Sequence, residues 1–154
     1  MIESLDQLIV KKRIIAVSLA NVYLIEEKII AIVFTRDGEL DETCAIDILK
    51  AILELAEGGP HALYYDFNNH NILLTNIAKK LASVRNELDS NLIARAFRSR
   101  NLMNQIEANH FIQYSKPLAE TRVFQGEAEA LQWLRIKIRA FRSMDKPANP
   151  LNKQ

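Results

Sequence analysis

Three short β-rich runs, HALYYDF at 61–67, LIARAF at 92–97 and TRVF at 121–124, are separated by stretches whose apolar residues recur at helical spacing. Parallel neighbours need a crossover of a dozen or more residues, so each helix must return the chain to the end of the sheet where the previous strand began. This alternation points to a parallel sheet covered by helices. Ahead of it lie two further β-rich segments, roughly 14–25 and 28–35, rich in Ile, Val, Tyr and Phe and separated by Glu26 and Glu27, the pattern of an antiparallel hairpin. The expected fold is α/β, a mixed sheet with an N-terminal hairpin and parallel βα units in the order β-β-α-β-α-β-α-β-α.

Asp37-Gly38 ends the second strand, and Asp41 is placed to cap a helix carrying Ala45, Ile48, Leu49, Ile52 and Leu55 on one face, stopped by Gly58-Gly59-Pro60. Thr75 opens a second helix with Ile77, Leu81, Val84 and Leu88 as its apolar face. A third, near 101–114, uses Leu102, Met103, Ile106 and His110, and the last uses Leu131, Leu134, Ile138 and Phe141. Residues 1–143 are expected to form one domain, followed by a disordered tail, MDKPANPLNKQ, at 144–154.

With 154 residues the chain can bury a substantial core, roughly 70% of the surface its unfolded form exposes. Its 20 Lys and Arg against 19 Asp and Glu give a net charge of +1, so no global field calls for nucleic acid, membrane or an acidic ligand. Cys44 is the only cysteine, which excludes an internal disulfide and agrees with a reducing compartment; a buried thiol on a helix is expected. The opening MIESLDQLIVKKR has acidic residues before any apolar run and no signal-peptide pattern, and no apolar run approaches the ~20 residues of a membrane helix. A cytoplasmic protein without a membrane span is the expectation. The four glycines, at 38, 58, 59 and 126, cannot build a Gly-rich phosphate cradle, so no nucleotide cofactor is expected.

The stretches LYYDFNN (63–69), LTNIAKK (74–80), ARAFRSRN (94–101) and FQGEAEALQWL (124–134), in this element order, resemble the STAS-like proteins, the sulfate-transporter and anti-sigma-factor-antagonist fold, especially small bacterial proteins of unknown function grouped as STAS/SEC14-like. The resemblance spans about residues 16–140. It implies a mixed sheet flanked by helices that serves as a regulatory, protein-interaction or sensing module. Antagonist relatives carry a phosphorylated serine in an Asp-Ser-Ser/Thr-Gly segment at a helix start. The matching region here, Asn71-Ile72-Leu73-Leu74-Thr75-Asn76, lacks that glycine and offers only Thr75 as a hydroxyl.

Thr75 is thus the candidate phosphorylation site, since free amides and the helix dipole would hold a phosphate at a helix start; the plainer reading is a capping hydroxyl. Asp66, at a strand end, is either a base or ligand group or an acceptor for loop amides. His70 beside it is the one acid/base pairing the spacing allows, without a nucleophile nearby. His61, His70 and His110 are too scattered for a metal site, and no metal is expected. Arg95, Arg98 and Arg100 cluster around the end of the 92–97 run, where Arg98 and Arg100 could dock an acidic partner; Arg135, Lys137, Arg139 and Arg142 line the solvated side of the last helix. Trp133 falls off that helix's main stripe, at a core margin or a dimer surface.

Asp66, Asn68, Asn69, His70, Thr75, Arg98 and Arg100 form the candidate binding edge. The function expected is a non-enzymatic STAS-like regulatory or protein-interaction domain with a protein partner. The alternative is a small-ligand or lipid-binding domain of SEC14-like type, taking a small apolar ligand among Ile72, Leu73, Leu74, Phe111 and Ile112. A homodimer is compatible with either, and nucleic acid with neither, because few aromatics interleave with the basic residues.

Overall fold

The computed structural model describes residues 14–83, 91–115 and 119–145. It is an α/β protein built on a mixed sheet, as the alternation of runs requires. The strands are β1 (Ile14–Ala16), β2 (Ala20–Glu26), β3 (Ile29–Phe34), β4 (Gly38–Leu40), β5 (His61–Asp66), β6 (Ile72–Leu74), β7 (Leu92–Arg98) and β8 (Glu120–Phe124). The helices are α1 (Glu42–Ala56), α2 (Asn76–Ser83), α3 (Leu102–Ser115) and α4 (Glu127–Asp145). Six strands form the main sheet in the order β1-β2-β3-β5-β7-β8, and β4 pairs with β6 in a small second sheet. β1 to β3 run antiparallel, while β3, β5, β7 and β8 run parallel.

The first predicted strand is in fact two. Its middle, Val17-Ser18-Leu19, turns the chain, with the Val17 amide donating to the Ala20 carbonyl at 2.9 Å and the Arg36 guanidinium holding the Ser18 carbonyl at 3.1 Å. The hairpin is therefore a three-stranded meander. The turn predicted at Glu26-Glu27 joins β2 to β3, with Lys28 at φ 71. Asp37-Gly38 lies beyond the end of β3 and leads into β4.

Asp41 caps α1, its carboxylate accepting from the Cys44 amide at 2.8 Å, a bond that satisfies one of the helix's free N–H groups. Glu57 (φ 52) and Gly58 (φ 77) end the helix in the left-handed conformation. Cys44 is buried on α1, and burial pushes its thiol pKa up, away from the reactive thiolate.

Helices α1, α2 and α3 share one face of the sheet, where Phe34, Phe67, Phe97 and Phe111 stack in sequence at centroid distances of 5.3, 5.8 and 6.0 Å. Among the described residues, α4 alone covers the other face, with Leu131, Trp133, Leu134 and Ile138 against Tyr23, Ala62, Tyr64 and Ala96. Trp133 lies at the core margin, 8% exposed, against Phe124 at 5.5 Å.

One predicted helix face, that of α3, is out of phase, and one residue of the face predicted for α2 is exposed. On α2 Ala78 is buried and Ile77 is 50% exposed, while the side chains of Leu81, Val84 and Leu88 lie outside those described. On α3 the predicted core residues Leu102, Met103, Ile106 and His110 face solvent, and Asn104, Ala108 and Phe111 are buried. Met144 and Asp145, expected to open a disordered tail, belong to α4 instead; residues 146–154 lie outside those described.

Candidate functional site

The exits of β7 and β8 lead to helices on opposite faces, α3 and α4, and a crevice at such a divergence is where open α/β sheets tend to bind ligands. Strand alternation fixes what points there. Tyr64, Asp66 and Arg98 sit at positions that face α4, with Asp66 and Arg98 directly paired in register.

Asp66 is 3% exposed and its carboxylate accepts three hydrogen bonds, from Arg98 Nη1 at 3.1 Å, the Asn68 amide at 2.8 Å and the Tyr64 hydroxyl at 2.9 Å. Arg98 also donates from Nε to the Gln125 carbonyl at 3.1 Å, tying the entry of α4 to the sheet. Burial, followed by the Asp66 charge and hydrogen bond, drives the Tyr64 phenol pKa far upward, so it stays a donor. Glu127, in the first turn of α4, faces the same group. Its carboxyl pKa is raised chiefly by burial and next by Asp66, with Arg98 opposing.

A carboxyl whose pKa is higher in the folded than in the unfolded chain binds its proton more tightly when folded. Stability then falls as pH rises from the unfolded to the folded value, and the deficit persists above it. Glu127→Gln removes that titration. It is expected to raise the melting midpoint at neutral pH by a few degrees at most, the gain closing as pH falls into the ordinary carboxylate range. Paired thermal melts at pH 7.5 and pH 4 check this, and a gap of equal size at both would reject it.

The loops around this cluster are tied to one another. Asn68 and Asn69 adopt φ of 51 and 64, a conformation asparagine tolerates better than most residues, and both are exposed. His70 does not meet Asp66; its Nδ1 lies 3.2 Å from Asp37 Oδ1, which also accepts from the Asn71 amide at 2.9 Å. The acid/base pairing allowed by the spacing is therefore not formed. Asn101 donates to the Asn71 side chain and caps α3 by accepting from the Met103 amide at 2.8 Å. Asn104 reaches from α3 to β6, accepting from the Ile72 amide at 3.1 Å and donating to the His70 carbonyl.

Of the predicted edge, Asp66 and Arg98 are joined and inward-facing, while Asn68, Asn69 and Arg100 are exposed at the loop tips and His70 is partly so. Arg98 is committed to Asp66, so of the two arginines only Arg100 is exposed to meet an acidic partner. Thr75 stands apart, beyond β6. Its hydroxyl donates to the Leu40 carbonyl at 2.7 Å and accepts from the Ala78 amide at 3.2 Å, which is the capping role. A phosphoryl group there would have to break the Leu40 bond. Asn104 and Glu127 were not singled out by sequence, while Asp37 was read only as a strand end and Asn101 only where the turn after Arg98 meets the third helix. The one signal for them is polar residues adjoining strand ends or helix starts, shared with many ordinary caps.

The three arginines of the β7 region part company. Arg95 is buried, with its guanidinium 5.6 Å from the Phe111 ring centroid, and Arg100 is exposed. Along α4, Arg135 pairs with Glu26 at 2.8 Å and Arg142 with Glu27 at 3.0 Å across an open groove of about 350 Å³. Among the described residues there is no group of three or more His, Cys, Asp or Glu placed to hold a metal ion, and no helix long and apolar enough to cross a membrane.

Beneath β6, Phe34, Tyr65, Phe67, Leu74, Phe97 and Phe111 help line a cavity of about 40 Å³. That is near the ~30 Å³ share of one water molecule. Outside it, among the described residues, exposed large apolar side chains occur singly on other elements, Leu53 on α1, Ile77 on α2, Ile136 and Met144 on α4, while three gather on α3. Leu102 is 68% exposed, Met103 63% and Ile106 54%, with Leu73 of the adjoining β6 at 49%.

A family model described as a domain of unknown function, DUF7793, matches residues 23–138, from within β2 to within α4. No curated protein and no solved structure matches the chain.

Proposed function

The chain belongs to the DUF7793 family, and we propose that it works as a non-enzymatic, STAS-like protein-interaction module that docks through the outward side of α3 and the loop tips beside it. The observation that carries this reading is the exposure of Leu102, Met103 and Ile106 on consecutive turns of one helix, with Leu73 nearby. The largest apolar patch on a soluble monomer is often a functional one. The loop tips would form its polar rim, with Asn68, Asn69 and Arg100 free of the packed core. The inward ion pair of Asp66 and Arg98 supports the rim by fixing the strand ends from which these loops leave.

The alternative of a SEC14-like apolar ligand draws less support. The cavity of about 40 Å³ is far below the roughly 300 Å³ at which ligand pockets begin.

Affinity capture with the full chain, run beside Met103→Glu and an Arg139→Glu control on α4, tests the proposal. Retention of a specific protein by wild type and control, with its loss from Met103→Glu, is the expected result. Equal capture by all three, or stabilisation by acyl ligands in place of any protein, would reject the docking surface.

A further inference from the structure

Among the described side chains, the outward side of α3 presents Leu102, Met103, Ile106, Asn109, His110 and Gln113, all exposed and none of them Lys, Arg, Asp or Glu. The helix's single acidic residue, Glu107, is turned aside to Lys79 of α2 at 3.2 Å. The other long helices are different. α1 exposes Glu42, Lys50 and Glu54, and α4 exposes Glu129, Arg135 and Arg139. A solvent-facing helix side without fixed charge is thus particular to α3 among them.

That pattern bears on what can cover it. In a two-fold interface the same patch lies on both sides, and residues near the axis meet their own copies. Any fixed charge there would face a like charge, a juxtaposition that costs several kcal/mol. This surface has none to oppose, and a partner of opposite charge would find nothing to pair with. Its size also fits. Four apolar side chains, each half to two-thirds exposed, offer on the order of 400 Å², comparable with the largest patch on a typical monomer. The amide rim of Asn109 and Gln113 with the neighbouring loop tips extends it toward the roughly 800 Å² per partner of a standard interface.

We infer that the outward side of α3 binds a second copy of this chain, with Ile106 near the two-fold axis. The inference rests on the docking reading above and names the partner for it. A contact of this modest area leaves little surplus over the cost of association, so the dimer is expected to be reversible.

Sedimentation velocity of the full chain across the micromolar range tests it. Wild type is expected to pass from monomer to dimer mass with concentration, as is Arg139→Glu. Ile106→Glu and Met103→Glu are expected to stay monomeric, at least tenfold weaker in association, with unchanged circular dichroism because both side chains are already in water. Ile106→Cys is expected to give a covalent dimer under mild oxidation, since a residue near the axis meets its own copy. A wild-type monomer at every concentration, or a dimer that survives Ile106→Glu, overturns the assignment. Should wild type be monomeric while Met103→Glu still loses a captured protein, the docking surface stands and the second copy is excluded as its occupant.

Discussion

Asp66→Ala is expected to lower the unfolding free energy by about 3–5 kcal/mol, the range for breaking a buried ion pair from one side. The Asp66 side chain is 5% exposed, and the Arg98 side chain beside it is 14% exposed. Alanine therefore leaves a guanidinium largely out of water with only the Gln125 carbonyl bond that remains to it. It also strands the Tyr64 hydroxyl and the Asn68 amide, both of which now donate to Asp66. Asp66→Asn should cost less, because the amide oxygen can still accept one of those bonds. The double change Asp66→Asn with Arg98→Met should cost less than the two single changes summed, since each single change damages the same pair. Urea unfolding with an unchanged dependence on denaturant would measure all of these. A loss under about 1 kcal/mol for alanine would mean that the cluster is better hydrated than its burial implies.

The same residue shows how far sequence reasoning reaches. Asp66 was legible as a strand-end carboxylate, and acceptance of a loop amide follows from turn chemistry alone, as its bond to Asn68 bears out. Its other two partners were not legible. Tyr64 is two positions back on the same side of the strand, but the closeness of Arg98 depends on the register between β5 and β7, which no local pattern encodes. The order of the helices and of the longer strands was readable because periods of two and of 3.6 survive in short windows, while β1 was merged with β2 and the three-residue β4 and β6 went unread. Helix phase failed on α3, and at Ile77 of α2, where apolar residues occur on more than one side and tertiary contacts choose between them. In α1 and α4 a single stripe settles the matter, and there Ala45, Ile48 and Ile52, and Leu131, Leu134 and Ile138, are buried as expected. Thr75 was placed correctly as a cap, while its bond to the Leu40 carbonyl came from β4, an element too short to leave a sequence signature.

Asn104→Ala is the change expected to expose what sets the phase of α3, at a cost of about 2–4 kcal/mol. The side chain is 2% exposed and serves β6 as a neighbouring strand would, accepting from the Ile72 amide and donating to the His70 carbonyl. Two backbone groups lose their partner together, each worth about 1–3 kcal/mol when left buried and unsatisfied. Asn104→Asp keeps the acceptor for Ile72 but turns a second oxygen toward the His70 carbonyl and buries a charge, so it should be no better tolerated than alanine. Hydrogen exchange at the Ile72 amide should quicken in Asn104→Ala ahead of amides in β5 and β7, marking a local release of β6. Rotating α3 to bury Leu102, Met103 and Ile106 would turn Asn104 away from β6 and draw Phe111 out of the aromatic stack. The helix therefore keeps its apolar residues in water because a buried amide and a buried ring outweigh them. If Asn104→Ala leaves both stability and exchange unchanged, that balance is wrong, and the packing of Ala108 and Phe111 alone must hold the helix with Leu102, Met103 and Ile106 outward.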